Sequence, residues 1–329
     1  MKVRILTETD VRSVITMPDA IELQAEAFTT LAAGLSVEGL RSFAVSETPP
    51  GVAIFNPCFL REGRGYGVKV VSDFYENDEL TVPRMTASMI LLDGKTGAPH
   101  TFMEAGYLTD LRTGAGTGLA AKYLARPDST TLAVIGAGRV ARYQILALAA
   151  VLPIETVRIS TRTRARAEKL VASLADEIEV ELSIVDSVAG AVRDADVVVA
   201  ATTAKSPVVP GELLRPGTFA VSAGSYEPTT RELDSEVVRR AAIRVIDSRA
   251  DCLSHAGDYV IPADEGILSL DDVIQISDLV SGAAAGRVDD DSITVYKSIG
   301  VPIQDLVTGQ AIADRAKAAG IGTEIELNP

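Results

Sequence analysis

The chain has 329 residues, enough for about two domains at roughly 150 residues each. Hydrophobic residues make up 47% and charged residues 23%, which excludes wholesale disorder. Asp plus Glu number 45 against 31 Lys plus Arg, a formal charge of −14, which argues against a nucleic-acid partner but leaves room for a local basic pocket.

The opening MKVRILTETD holds no apolar core of signal-peptide length. The longest apolar stretch, near residues 145–152, is far short of the roughly 20 residues that a bilayer span needs. A soluble, cytoplasmic chain with no membrane partner is expected. Residues 18–34 carry Ile21, Ala25, Phe28, Leu31 and Ala32 at helical spacing, with Asp19 suited to a first turn. Alternating runs at 41–45, 52–56, 65–72 and 86–93, each bounded by Gly, Pro or Asp, predict a meandering sheet. Asp93-Gly94 followed by Gly97 predicts a hairpin turn. Residues 110–124 are rich in Gly, Ala and Thr. They predict a buried helix, because glycines weaken intrinsic helicity.

Arg126-Pro127-Asp128 punctuates the chain. Beyond it, strands at 131–135, 156–161, 179–185, 196–202, 218–223 and 243–247 alternate with helices at 139–151, 164–175 and 187–193. This predicts a parallel sheet covered on both faces. A last strand-like run begins at 292, and a helix covers 303–319.

The first strand of that series leads into Gly136-Ala137-Gly138-Arg139-Val140-Ala141. The first glycine suits a tight turn, the second lets backbone approach a pyrophosphate, and Ala141 lets helix and strand pack closely. The helix start adds free N–H groups and a positive dipole end. A dinucleotide site is expected, with Gly136, Ala137, Gly138, Arg139 and Val140 around the phosphates. After the second strand an NAD site usually carries an acid for the ribose hydroxyls. Here the chain reads Ser160-Thr161-Arg162-Thr163-Arg164-Ala165-Arg166, with no acid. Ser160, Thr161 and Arg162 suit a 2′-phosphate, so NADP(H) is the preferred cofactor and NAD(H) the alternative. Lys69 stands out in the apolar run 67–71, where a lysine is costly without a purpose.

Several motifs together resemble the ornithine cyclodeaminase/mu-crystallin family over nearly the whole chain. They are Gly67-Val68-Lys69-Val70, Leu92-Asp93-Gly94-Lys95-Thr96-Gly97, and Tyr107-Leu108-Thr109-Asp110-Leu111-Arg112-Thr113-Gly114-Ala115. The glycine loop with Gln144, Arg231-Glu232-Leu233-Asp234, and Lys297-Ser298-Ile299-Gly300 with Asp305 complete the set. The resemblance implies an α/β homodimer of two-domain subunits. An α+β domain for substrate and dimerisation is expected over 1–126 plus 297–329. A Rossmann-type doubly wound parallel sheet, over 127–296, is inserted in it. The implied activity interconverts an amine and an imine beside a carboxylate, using a nicotinamide cofactor.

Residue by residue, the resemblance puts Arg41, Lys69 and Arg112 on the substrate carboxylate, with Lys69 and Arg112 as catalytic residues. Lys69 is expected to pass a proton, because desolvation and neighbouring arginines lower its pKa. Further cofactor contacts are expected at Thr202, Ser222, Ser298 and Gly300. One position departs from the pattern. Where ornithine cyclodeaminases carry an Asp for the distal amino group, this chain has Tyr226, expected to line the substrate site. A phenol with a pKa near 10 does not replace a carboxylate at neutral pH.

The expected function is NAD(P)H-dependent reduction of a small 2-imino acid to the L-amino acid, or the reverse dehydrogenation. The alternatives are an ornithine- or lysine-type cyclodeaminase and a non-catalytic, crystallin-like NADP-binding protein. Other residues read as structural. Cys58 and Cys252 cannot form a disulfide framework or a four-cysteine zinc site and are expected as buried thiols. His100 and His255 offer no histidine-rich metal site, and Asp289-Asp290-Asp291 reads as a solvated turn, so no metal is expected.

Overall fold

Two threonines start the first two helices in the same way. Thr7 and Thr16 each accept the backbone N–H three residues on, while Asp10 and Asp19 reach back to the threonine N–H groups. These reciprocal caps set α1 (Glu8–Val14) and α2 (Met17–Ala32) after strand β1 (Lys2–Leu6). The computed structural model describes residues 1–77 and 82–328. The chain divides into two units, Met1–Arg112 with Val301–Pro329, and Thr113–Gly300.

The first unit is built on one sheet. Its strands are β1, β2 (Ser36–Glu38), β3 (Ser42–Glu47), β4 (Pro50–Leu60), β5 (Gly65–Phe74), β6 (Met85–Leu92), β7 (Pro99–Glu104) and β16 (Thr323–Glu326). The order is β16-β1-β7-β6-β5-β4-β2, with β3 also on β4, and only the β1–β7 pair is parallel. The expected meander over 41–93 is therefore the run β3–β6, continued by β7 after the hairpin turn, all antiparallel neighbours. The Asp93 side chain accepts from the Lys95 and Thr96 N–H groups and shapes the β6–β7 turn, where Gly97 takes φ +72°. Helix α11 (Pro302–Ala319) packs on this sheet and α2 packs on α11, and Phe28, Ile21, Leu60, Met89, Leu91, Met103, Ile303 and Leu306 are buried. The two end strands β1 and β16 have no alternation strong enough to be read from sequence. β16 is settled by pairing with β1, and β1 by pairing with β16 on one side and β7 on the other.

The second unit holds an eight-stranded, all-parallel sheet. Its elements are β8 (Thr131–Ile135), α4 (Arg139–Val151), β9 (Thr156–Ser160), α5 (Arg164–Leu174), β10 (Glu181–Ile184), α6 (Val188–Val192), β11 (Val197–Ala200) and β12 (Phe219–Ser222). Then come α7 (Ser235–Arg240), β13 (Ala241–Ile246), α8 (Arg249–Cys252), α9 (Gly257–Asp264), β14 (Ile274–Gln275), α10 (Ile276–Val280) and β15 (Ile293–Lys297). The order β10-β9-β8-β11-β12-β15-β13-β14 reverses direction between β8 and β11, the switch point of a Rossmann-type sheet. Asp196 anchors the amino end of β11. Its carboxylate accepts the Thr130 and Thr131 N–H groups and pairs with Arg126 and Arg215. Asp289 accepts two N–H groups of its own turn, from Asp291 and Ser292.

The division falls elsewhere than at the expected 126/127 and 296/297. Helix α3 (Gly106–Leu124) runs through the first boundary, because its later residues pack on α4. A Cβ on Gly114 would lie 2.3 Å from the Tyr143 carbonyl oxygen, a contact only glycine allows. At the other boundary β15 sits between β12 and β13, which puts Lys297, Ser298 and Gly300 in the second unit. Among the described residues no helix is long and apolar enough to cross a membrane.

Candidate active site

In the first unit, three of the expected residues converge on a fourth. Lys69 lies on β5, a strand whose flanking positions are apolar, and is 2% exposed. Its Nζ donates to Asp305 Oδ1 at 2.7 Å. Arg112, on α3, donates from Nε to the same oxygen at 2.9 Å, and from a terminal nitrogen to Gln304 Oε1 at 3.4 Å. Arg41 donates from Nε to Asn56 Oδ1 at 3.0 Å, and Asn56 stands directly across from Lys69 in the β4–β5 pairing.

The start of α11 holds Asp305 in place. The Val301 N–H donates to Gln304 Oε1, and the Ile303 N–H donates to Glu38 Oε1. The positive end of the helix then favours the Asp305 carboxylate. Burial alone would raise the Asp305 pKa. The charges of Arg112, Lys69 and Arg41 outweigh it and hold the carboxyl below its usual range. Burial likewise dominates at Lys69, where Arg112 and Arg41 add to it. The Asp305 charge opposes them, and the ammonium comes down from 10.5 to about 7. Three cationic side chains thus face one carboxylate, an excess suited to an anion. One of them titrates near neutrality.

In the second unit the expected cofactor residues stand along one edge of the sheet. The pairings align Ser160, Ile135, Ala200, Ser222, Lys297 and Ile246 in a row at the carboxyl ends of β9, β8, β11, β12, β15 and β13. Gly136 follows Ile135 with φ +112°, and a Cβ there would meet the Ala201 carbonyl oxygen at 2.3 Å. Gly138 has an extended φ of −95°, and a Cβ there would meet nothing within 4 Å. Neither packing nor a positive φ requires glycine at 138, and its missing side chain leaves the backbone there open to a ligand. Gly138 also caps α4 without a side-chain bond, followed by Arg139 and Val140, so first-turn N–H groups are available to phosphate oxygens. These residues fit a dinucleotide pyrophosphate.

Ser160 is buried, Thr161 half-buried and Arg162 exposed, ahead of an α5 start that carries no acid. Arg164 is engaged by Glu168 and Asp186. Tyr226 is 47% exposed on the loop after β12. Two of the expected cofactor residues are buried. The Ser222 hydroxyl is fully buried among Glu232, Asp258 and Lys297, and Ser298 is 3% exposed beside the Tyr296 phenol. Both hydroxyls are used inside the protein, so a ligand at this edge meets backbone there. Gly300 is buried as well, its N–H donating to Asp247.

Sequence reasoning assigned no role to Asp305, Glu232, Asp258 or Lys297. A usable signal existed for two of them. Asp305 lies among Ile303, Leu306 and Val307, and Lys297 ends the apolar run Ile293–Lys297, so both had to be buried charges.

The model of the ornithine cyclodeaminase/mu-crystallin family matches residues 1–320. The solved Delta(1)-pyrroline-2-carboxylate reductase of Thermococcus litoralis, in complex with NADH and L-proline, superposes with a TM-score of 0.93 at 35% identity. The match covers 98% of this chain and 100% of that one. An archaeal alanine dehydrogenase dimer with bound NAD gives a TM-score of 0.91 at 32% identity, with both chains fully covered. The Delta(1)-pyrroline-2-carboxylate reductase of Bacillus cereus is 29% identical over 324 residues, 98% of this chain and 99% of that protein.

Proposed function

The chain belongs to the ornithine cyclodeaminase/mu-crystallin family, and we propose that it reduces a small 2-imino acid to the L-amino acid with a nicotinamide cofactor, or runs the reverse dehydrogenation. The buried Lys69–Asp305–Arg112 cluster, with Arg41 beside it, carries this reading. Relatives named as a pyrroline-2-carboxylate reductase and an alanine dehydrogenase support it.

Arg112, Arg41 and Lys69 hold the substrate carboxylate, Arg112 and Lys69 kept in register by Asp305. The cofactor, when bound, supplies a hydride to the imine carbon. The reaction also consumes one proton. Lys69 Nζ gives it to the substrate nitrogen, so one N–H bond breaks on the lysine and one forms on the amine. The positive charge of the cluster favours electron withdrawal from the C=N carbon as the bond reduces. Asp305 stays a carboxylate throughout, because its cationic neighbours hold it so. The test is cofactor oxidation with a panel of acyclic and cyclic imino acids.

For the cofactor we favour NADP(H) over NAD(H). Thr161 and Arg162 follow β9 where an NAD site would carry an acid, and Arg162 has no ion-pair partner among the described residues. Arg162→Ala is expected to raise the KM for NADPH about tenfold or more, the loss of one charge-assisted contact. The KM for NADH should stay nearly unchanged. Steady-state titration with both coenzymes checks this, and equal effects on the two would remove the 2′-phosphate assignment.

The first unit is the one that binds substrate and dimerises in this account. Phe102, Ile90 and Val68 stand opposite one another across β7, β6 and β5. Phe55 lies on the same face by the alternation of β4, and Phe102, Ile90 and Phe55 are all 36% exposed or more. An apolar sheet face of this kind fits a second copy of the same chain. Ile90→Asp is expected to convert a dimer to a monomer in sedimentation analysis, with the fold retained. A cytoplasmic site of action agrees with Cys58 and Cys252, both buried free thiols.

A further inference from the structure

At the carboxyl end of the parallel sheet, Glu232, Asp258 and Lys297 are all 0% exposed. Two carboxylates and one ammonium without water are costly, and apolar residues would pack there at lower cost. The geometry accounts for them. Glu232 Oε1 accepts the Thr202 N–H at 2.6 Å and the Thr202 hydroxyl at 2.8 Å. Its Oε2 accepts the Gly224 N–H at 2.7 Å, the Ser225 N–H at 3.3 Å and the Ser222 hydroxyl at 2.9 Å. One carboxylate therefore joins the turn after β11 to the turn after β12.

Asp258 and Lys297 fix that carboxylate in turn. Asp258 Oδ1 accepts the Glu232 and Leu233 N–H groups, both at 2.9 Å. Lys297 Nζ uses its donors on Asp258 Oδ2 at 2.8 Å, the Ser222 hydroxyl at 2.9 Å and the Ser225 carbonyl at 2.6 Å. The Ser225 carbonyl immediately precedes Tyr226. Both turns lie on the edge that carries Gly136, since Ala200 pairs with Ile135 and with Ser222. Ligands of open parallel sheets bind outside this edge.

We propose that Glu232 is the positioning residue of the cofactor face. It holds the 201–204 and 223–226 turns in one fixed arrangement and so presents a preformed surface to the nicotinamide nucleotide. The proposal rests on the dinucleotide reading above. Its chemistry requires both the charge and the length of glutamate. Glutamine would turn an NH2 group against N–H donors on one of the two turns. Aspartate keeps the charge but is one methylene too short to span both.

The experiment measures the dissociation constant of NADPH and NADH by fluorescence, together with thermal melts, for wild type, Glu232→Gln, Glu232→Asp and Asp196→Asn. Asp196 is a buried carboxylate at the opposite, amino end of β11, so its replacement costs stability away from the cofactor. Well below each melting temperature, both Glu232 variants are expected to bind the cofactor at least about tenfold more weakly, from the loss of one or two charge-assisted bonds. Asp196→Asn should melt earlier yet bind as wild type does. Glu232→Asp guards against Glu232→Gln failing to fold. Wild-type dissociation constants in folded Glu232 variants would overturn the proposal. A wild type that binds neither coenzyme would overturn the dinucleotide reading itself.

Discussion

Lys69→Met is expected to lower kcat/KM for imine reduction by about 10³-fold or more, since it removes both a proton donor and a carboxylate ligand. Methionine fills the same buried space without a charge, and Arg112 remains on Asp305. The variant should fold and should bind the cofactor as wild type does. In wild type, the ammonium near 7 gives kcat/KM a definite pH sign. The reductive reaction needs the protonated form and falls as pH rises through about 7. Amine oxidation needs the neutral form and rises there. A bound carboxylate stabilises the ammonium, so the inflection in kcat lies at higher pH than that in kcat/KM.

Lys69 also leaves a trace in stability. Its pKa is about 7 when folded and near 10.5 when unfolded, so between those values the unfolded chain binds more protons. Stability from this group therefore grows with pH across that window, and Lys69→Met abolishes the trend. A reductive profile flat through 7, or a Lys69→Met enzyme of normal activity, would refute the assignment.

The second large effect belongs to Asp305→Ala. It leaves Lys69 and Arg112 buried without their carboxylate, a cost of about 3–5 kcal/mol. Melts should show a markedly earlier transition. The Asp305 charge and hydrogen bond both raise the Lys69 pKa. Without them desolvation and the arginines act unopposed, so Lys69 loses its proton at still lower pH. The reductive limb of the pH profile then moves to the acid side. Asp305→Asn keeps the shape and should show the pH shift with a smaller loss of stability. Unchanged melting with an unchanged profile would mean that Asp305 neither supports nor tunes the lysine.

Much of this was legible in the sequence, for identifiable reasons. Strand β8 and helix α4 have the same bounds in sequence and structure, because an apolar run, a glycine turn and an amphipathic helix follow with no competing signal. Lys69 was legible because a charge inside an apolar strand has few structural excuses. The burial of the Ser222 and Ser298 side chains is not legible in the sequence. A strand end looks open to ligand in one dimension, and only three-dimensional packing turns those groups inward. The cut inside α3 is hidden for the same reason, since Gly114 answers to Tyr143 on α4, beyond β8 in sequence. Glu232 was seen as part of a motif but not as a staple, because its partners Thr202 and Gly224 come together only when β11 and β12 pair.

The chemistry proposed for this chain is reduction of a carbon–nitrogen double bond beside a carboxylate. It is tested most directly by mixing the protein, reduced nicotinamide and a 2-imino acid, and following oxidation of the cofactor. Cyclic substrates such as pyrroline-2-carboxylate and acyclic imines formed from 2-oxo acids with ammonia or methylamine cover the range. Oxidation that requires the imino acid, yields the L-amino acid and is lost in Lys69→Met is the predicted result. Protein that binds the cofactor yet turns over no imino acid, or that releases ammonia from ornithine with no net cofactor change, would contradict it.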